Sequence, residues 1–281
     1  MTTTTDLDSS PRAARVRPGL LPALAVFVVY LALILGLGEL FAGDVDYQEL
    51  ANTKENFRDG IIIPIGIVSL LLVAVTSYFG WWKPVLFERR SGPPWLLIWP
   101  VLAIVAFVAN IAVDGDQWDG GFLVLLLCGF ALVGFSEELM TRGLILTGAR
   151  AQYRELWAWL ICTVCFGAMH GLNAIKGQDA ATTIKQVFLT MAAGTLLYFA
   201  RRISGTLIVS MALHALFDAT LIIHGGPGAE LNNDTGEAPL AAVLFQFLGV
   251  IFLIIALVKH YLARANPGPE IEPLLGRQPI A

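Results

Sequence analysis

The sequence predicts an all-α, polytopic membrane protein with about eight transmembrane helices, and three observations lead to this fold class. Hydrophobic residues make up 56% of the 281 residues and charged residues only 14%, a composition far more apolar than that of a soluble domain. The chain contains eight apolar segments close to the roughly 20 residues that a helix needs to cross a bilayer. Most of its basic residues fall on one side of the resulting topology.

The eight segments are separated by short polar connections. The first is too long to be the apolar part of a signal peptide, so we interpret it as a span. The sixth carries Lys185 and Gln186 near its start, where a lysine can extend its ammonium group to the interface. The predicted spans are residues 20–42, 61–80, 95–113, 121–150, 155–172, 183–200, 204–223 and 239–261.

The distribution of lysine and arginine indicates the orientation, because the cytoplasmic loops of membrane proteins are enriched in both. With the N-terminus inside, fourteen of the eighteen basic residues lie on the inner side. The outer loops are acidic, as in GDVDYQEL and DGDQWDG. Both termini are therefore predicted to be cytoplasmic, in what we interpret as a bacterial plasma membrane. The basic residues on the outer side are Lys54, Arg58, Lys176 and Lys185.

Composition also argues against some partners and chemistries. The formal net charge of -4 gives no sign of nucleic-acid binding. Cys128, Cys162 and Cys165 all lie inside apolar runs, where a free cysteine usually behaves as a small hydrophobic residue. Packing is therefore favoured over a redox pair for the motif CTVC, and the expected partners are the lipid bilayer and a membrane-associated substrate.

A few ionisable side chains remain deep within the spans, although a charge at the centre of a membrane helix costs about 2.5–3.5 kcal/mol on insertion scales. Such residues are candidates for function. For a single histidine, a structural hydrogen bond would be the simpler interpretation. The relative positions of all the ionisable residues therefore decide whether they form a functional site. The candidates are Glu137, Glu138 and Arg142 in the fourth span, His170 in the fifth, and His214 and Asp218 in the seventh.

Spacing predicts that four of these residues meet. Glu137 and His170 each lie about sixteen residues from the middle of the turn RAQYRELW between two antiparallel spans, so at about 1.5 Å per residue they reach a similar depth. His214 and Asp218 are four residues apart and share one helix face. All four can therefore meet near the middle of the membrane.

The adjacent glutamates are predicted to have different roles, because neighbouring helical positions point about 100° apart. Glu138 lies four residues before Arg142, the favourable order for an ion pair. This pair is interpreted as structural support. Glu137 has no such partner in its own helix, which leaves it for a histidine on a neighbouring helix.

These residues resemble the CPBP family of intramembrane proteases, which includes CAAX prenyl proteases and bacteriocin-processing proteins. The resemblance covers residues of about 130 to 222 and includes the run GTLLYFARRISGTLIVSMALHALFD. Each motif alone is short, but all three occur in order and in separate spans. The motifs are EExxxR at Glu137, Glu138 and Arg142, FxxxH at Phe166 to His170, and HxxxN or HxxxD at His214 to Asp218.

The resemblance implies hydrolysis of a peptide bond inside or at the edge of the membrane, by a four-helix catalytic core. Glu137 and His170 would bind and activate a water, with Glu137 as the general base. His214 and Asp218 would lie opposite, where a donor could stabilise an oxyanion. The eukaryotic prenyl proteases carry asparagine at the last position, whereas Asp218 donates a hydrogen bond only when protonated. His214 is therefore the safer donor, and a charged Asp218 could instead accept from it.

Hydropathy, composition and the extent of the resemblance together predict a division of the chain into segments. The boundaries are a disordered cytoplasmic N-terminus at 1–18, three transmembrane helices at 19–120, and the catalytic core at 121–225. They continue with an outer loop and the last transmembrane helix at 226–263, and a disordered cytoplasmic tail at 264–281. The low-complexity composition of both ends supports their predicted disorder.

Zinc is the cofactor to consider, since two histidines and two carboxylates (Glu137, His170, His214 and Asp218) could form a site by composition. The HExxH spacing of many zinc proteases is absent, so a glutamate-type mechanism without a cofactor is favoured. Two other functions stay open. A proton-coupled transporter also uses carboxylates and histidines within the membrane, and a catalytically silent scaffold could keep the fold.

Overall fold

The computed structural model describes residues 14–228 and 238–265, without the side chains of Tyr47 and of residues 259–265. The segments predicted to be disordered, 1–18 and 264–281, lie mainly outside the described residues. Most of the predicted loop before the last helix also lies outside them.

Within the described ranges, eight helices are long and apolar enough to cross a membrane, in agreement with the sequence prediction. The protein is thus an all-α, multi-pass integral membrane protein. The helices are α1 (Leu20–Ala42), α2 (Lys54–Phe79), α3 (Pro94–Gln117), α4 (Gly120–Arg150), α5 (Glu155–Ala174), α6 (Ala180–Ser204), α7 (Leu207–Gly225) and α8 (Leu240–Ala265).

Helix α2 begins earlier than the sequence predicts, at Lys54 rather than at residue 61. Thr53 caps this start, because its side chain accepts a hydrogen bond from a backbone N–H in the first turn. Lys54 forms an ion pair of 2.5 Å with Asp119, at the start of α4. The first turns are rich in charge, which hides them from a search for apolar residues.

Glycines let the helices around the candidate residues approach closely. A Cβ atom at Gly134 of α4 would lie 2.7 Å from the backbone oxygen of Met211 on α7. A Cβ atom at Gly167 of α5 would lie 3.0 Å from the backbone oxygen of Val187 on α6. Small residues at such positions allow membrane helices to pack with their backbones close together. Close approach at a glycine thus joins α4 to α7 and α5 to α6.

A buried cluster of charges joins the ends of α4 and α6 to the loop between α2 and α3. Glu88 from the loop accepts from Arg150 Nη1 at 2.6 Å and from Arg201 Nε at 2.9 Å. Arg202 Nη1 lies 3.3 Å from the other oxygen of Glu88. Arg201 also donates to the backbone oxygen of Arg142. The loop, α4 and α6 are thus held together by one carboxylate.

The charge of Glu88 is stabilised by this arrangement. Burial alone would raise the pKa of the Glu88 carboxyl, but the three arginines outweigh burial and lower the pKa to about 2. Glu155 adds a second carboxylate to the cluster, 2.5 Å from Arg150 Nη2 and 2.6 Å from the Tyr198 hydroxyl. Their positions in the sequence indicate only one membrane side, whereas in the structure these arginines also form a network within the protein.

Candidate active site

Helix α4 changes its winding directly after the two glutamates. Residues Gly120–Glu138 are α-helical and Leu139–Ile145 are π-helical. The Thr141 hydroxyl donates to the backbone oxygen of Glu137 at 2.6 Å. π-helical turns are rare and occur frequently at functional sites. The wider turn therefore marks the position at which the ionisable residues of α4 lie.

Glu138 and Arg142 form the ion pair that their spacing predicts. Arg142 Nη1 lies 2.6 Å from Glu138 Oε1, and both side chains are fully buried. The guanidinium carbon of Arg142 lies 3.8 Å from the centre of the Phe166 ring, which is a cation–π contact between α4 and α5. This pair therefore supports both helices.

Glu137 and His170 face each other between α4 and α5. Glu137 Oε2 lies 4.0 Å from His170 Nε2. His170 Nδ1 lies 2.9 Å from the backbone oxygen of Phe166. Because a carbonyl oxygen can only accept, Nδ1 must donate, and the lone pair of the neutral ring is on Nε2. His170 thus presents an acceptor to the space beside Glu137.

His214 lies between three carboxylates. Its Nδ1 atom is 3.1 Å from Glu138 Oε1, and its Nε2 atom is 3.3 Å from Asp218 Oδ2 and 3.8 Å from Glu137 Oε2. The contact with Glu138 is one that the sequence analysis missed. Spacing within a helix predicts partners on that helix, and it carries no information about a partner on another one.

Phe166 fixes the relative position of both histidines. Its ring packs in a T-shaped arrangement against His170, at a centroid distance of 5.1 Å, and against His214, at 5.5 Å. Its face receives Arg142, as described above. The sequence analysis expects this residue to pack rather than to react, and its contacts are packing contacts.

Glu137, His170, His214 and Asp218 all border a cavity of about 760 Å³. The exposed fraction of these side chains ranges from 6% for His214 to 26% for Asp218. The walls are mostly apolar. The cavity extends to the ends of the helices opposite the Glu88 cluster, where Ala42 and Lys176 line it. The four side chains are thus largely shielded from solvent but face the cavity.

Tyr30 of α1 is a further polar residue at the cavity, and the sequence analysis does not identify it. Its hydroxyl lies 3.0 Å from the hydroxyl of Ser136, the residue before Glu137, and both side chains are fully buried. A single tyrosine in an apolar span carries no motif that would distinguish it from a packing residue. The bond joins α1 to α4 next to Glu137.

The side chains named for a zinc site are not arranged as a set of metal ligands. In the described parts of the chain, no group of three or more His, Cys, Asp or Glu side chains could hold a metal ion. His214 directs both ring nitrogens at carboxylate oxygens, whereas a metal-bound imidazole directs an unprotonated nitrogen at the ion. In this arrangement the four side chains do not form a set of zinc ligands, and a mechanism without a cofactor stays a prediction.

Comparison with known proteins finds one family. Residues 119–220 match the family model described as type II CAAX prenyl endopeptidase Rce1-like. The match starts one residue before α4 and ends within α7. It includes the six candidate residues predicted from the sequence, which are Glu137, Glu138, Arg142, His170, His214 and Asp218. No curated protein and no solved structure matches the chain.

Proposed function

Since residues 119–220 belong to the CAAX protease family, as their motifs indicate, we propose that the protein is an intramembrane endopeptidase. Its substrate is a membrane-associated protein or peptide, and Glu137 and His170 activate the water that hydrolyses the peptide bond.

The observation that carries this proposal is the gap between Glu137 and the two histidines. The separations of 4.0 Å to His170 Nε2 and 3.8 Å to His214 Nε2 are too long for direct hydrogen bonds. They suit one bridging water, which could reach all three groups. Glu137 Oε2 has no hydrogen-bond partner within the described residues, so it is available to accept a proton from that water.

The reaction then follows from these positions. Glu137 takes a proton from the water, whose second hydrogen is held by the lone pair of His170 Nε2. The water oxygen bonds to the carbonyl carbon of the substrate, and the carbonyl π electrons move to the oxygen. When this intermediate collapses, the C–N bond breaks and Glu137 passes its proton to the amine nitrogen.

His214 is the group we assign to the oxyanion. An N–H donor beside the developing negative charge lowers the barrier to its formation. This role needs a doubly protonated ring, in which Nδ1–H donates to Glu138 at 3.1 Å and holds the ring in place. Asp218 Oδ2 lies 3.3 Å from Nε2, which is long for a charge-assisted hydrogen bond, so the oxyanion can replace Asp218 as the acceptor from Nε2–H.

The membrane orientation is part of the proposal. Both termini are assigned to the cytoplasm of a bacterium by the excess of lysine and arginine at one membrane side. The Glu88 cluster lies at this side, and the cavity extends towards the other one. Substrate would therefore enter from the outer face of the plasma membrane or from the lipid.

The test compares the wild type with Glu137→Ala for release of a fragment from membrane-anchored peptides in proteoliposomes. Glu55→Ala is the matched control, because Glu55 is exposed at the start of α2 and does not line the cavity. We expect cleavage by the wild type and the control only. Equal cleavage by Glu137→Ala would refute the role of Glu137. Proton movement without cleavage would support a transporter, and neither activity would support a scaffold.

A further inference from the structure

A strip of uncharged polar side chains lies along the cavity wall beside His170. Its members come from three helices and lie in a mostly apolar wall that also contains Lys176, Thr182 and Lys185. Helix α6, which provides two members of the strip, is the least apolar of the eight described spans. The mechanism above does not use these side chains. The strip consists of Asn173, Gln186, Thr190 and Gln246.

Hydrogen bonds fix the strip in place. Asn173 Nδ2 donates to Gln186 Oε1 at 2.9 Å. Thr190 donates to the backbone oxygen of Gln186 at 2.9 Å. Gln246 Nε2 donates to the backbone oxygen of Leu189 at 2.6 Å. Each glutamine side chain thus has one end held by the protein.

The other end of each glutamine side chain is available to a ligand. Among the described residues, no hydrogen-bond partner is present for Gln186 Nε2, a donor, or for Gln246 Oε1, an acceptor. A polar group without a partner in a membrane-embedded cavity is costly. One donor and one acceptor together match the C=O and N–H groups of a peptide backbone.

An extended peptide needs such partners within a membrane, because its backbone groups have no water there and no helix to satisfy them. Along one edge of an extended chain, equivalent groups recur every two residues, at about 6.6 Å. Gln186 and Thr190 are one helical turn apart, which places their side chains roughly 5–6 Å from each other. The spacing of these two side chains is therefore close to the repeat of an extended backbone.

We propose that this strip binds the unwound backbone of the peptide beside the scissile bond, with Gln186 donating to a carbonyl oxygen and Gln246 accepting from an N–H group. The inference deepens the proposed function and rests on it for the identity of the ligand. Binding through the backbone sets the substrate class. The favoured substrates are membrane segments that unwind readily, whatever their side-chain motif.

Binding without turnover tests the strip separately from the protease activity. The probe is a short fluorescein-labelled peptide of Leu, Val and Ala, titrated into the full chain carrying Glu137→Ala and followed by fluorescence anisotropy. Adding Gln246→Leu is expected to weaken binding about five- to tenfold, the range for one or two hydrogen bonds. Adding Gln117→Leu is the matched control, since Gln117 also donates to a backbone oxygen but lies outside the cavity.

An ester scan of the probe separates backbone recognition from a change in packing. Replacing one amide by an ester removes a single N–H group. At the position that meets Gln246, the ester should weaken binding several-fold with the glutamine present and have no further effect with Gln246→Leu. The proposal would be overturned if the losses of affinity caused by the ester and by Gln246→Leu multiplied at every position of the probe. It would also be overturned if Gln246→Leu did not weaken binding of the probe, or if the probe did not bind at all. Binding with this pattern but no cleavage by the wild type would refute the protease activity alone.

Discussion

Replacing Glu88 by glutamine measures how strongly one carboxylate holds the core together. The pKa of Glu88 is lowered from 4.5 to about 2 in the folded protein, because three arginines outweigh the opposing effect of burial. At roughly 1.36 kcal/mol per pKa unit, this difference corresponds to about 3 kcal/mol. We therefore expect Glu88→Gln to lower the free energy of unfolding by about 3 kcal/mol at neutral pH.

The sign of the pH dependence follows from the direction of the shift. A carboxyl whose pKa is lower in the folded state stabilises the fold above its unfolded pKa, and this contribution is lost as the pH falls through the folded value. The wild type should thus lose stability between pH 4.5 and about pH 2. Glu88→Gln should lack the part of this loss of stability that comes from protonation of Glu88.

The assay is denaturant unfolding in detergent, followed by tryptophan fluorescence across this pH range. Glu55→Gln is the control, because Glu55 is exposed at the start of α2. A decrease in the free energy of unfolding of less than about 1 kcal/mol for Glu88→Gln at neutral pH would refute the reasoning, since isolated exposed ion pairs contribute no more than this. A decrease that is as large near pH 2 as at neutral pH would refute it as well.

Three further outcomes follow from the site. His170→Asn should lower kcat at least about 100-fold, the range for loss of a positioned proton-handling group, with the unfolding midpoint unchanged; a small effect on kcat would argue against water binding at Nε2. Tyr30→Phe should cost about 1 kcal/mol of stability and less than tenfold in activity, whereas complete inactivation would assign its hydroxyl to the reaction. Metal chelators should leave activity intact, and stoichiometric zinc lost together with activity would overturn the glutamate-type mechanism.

The sequence predicts much of the fold because its signals are local. A membrane helix is defined by the apolar character of its own residues, and all eight spans are recovered with small differences at their ends. The start of α2 is the clearest error, since Lys54 and its neighbours are charged but helical. The pair of Glu138 and Arg142 is also local, so the i to i+4 spacing predicts it.

The parts of the site that could not be predicted depend on contacts between distant residues. The bond between Glu138 and His214 joins α4 to α7, and neither residue carries a sign of the other in its own helix. The same holds for Glu88 and Arg201, which meet only after folding. A single sequence records which side chains are polar, but their pairing requires the positions of the helices.

The π-helical segment of α4 makes the number of residues between the glutamates and Arg150 as important as their identity. An α-helix advances by about 100° per residue, whereas the i to i+5 bonds of a π-helical turn accommodate about one residue more. Deleting one residue between Leu139 and Ile145 would therefore convert the segment to α-helical winding, which keeps Glu137 and Arg150 near their present directions but removes the wider turn beside the glutamates. An insertion would instead rotate one end of α4 against the other, so insertions here should be tolerated less well than single deletions.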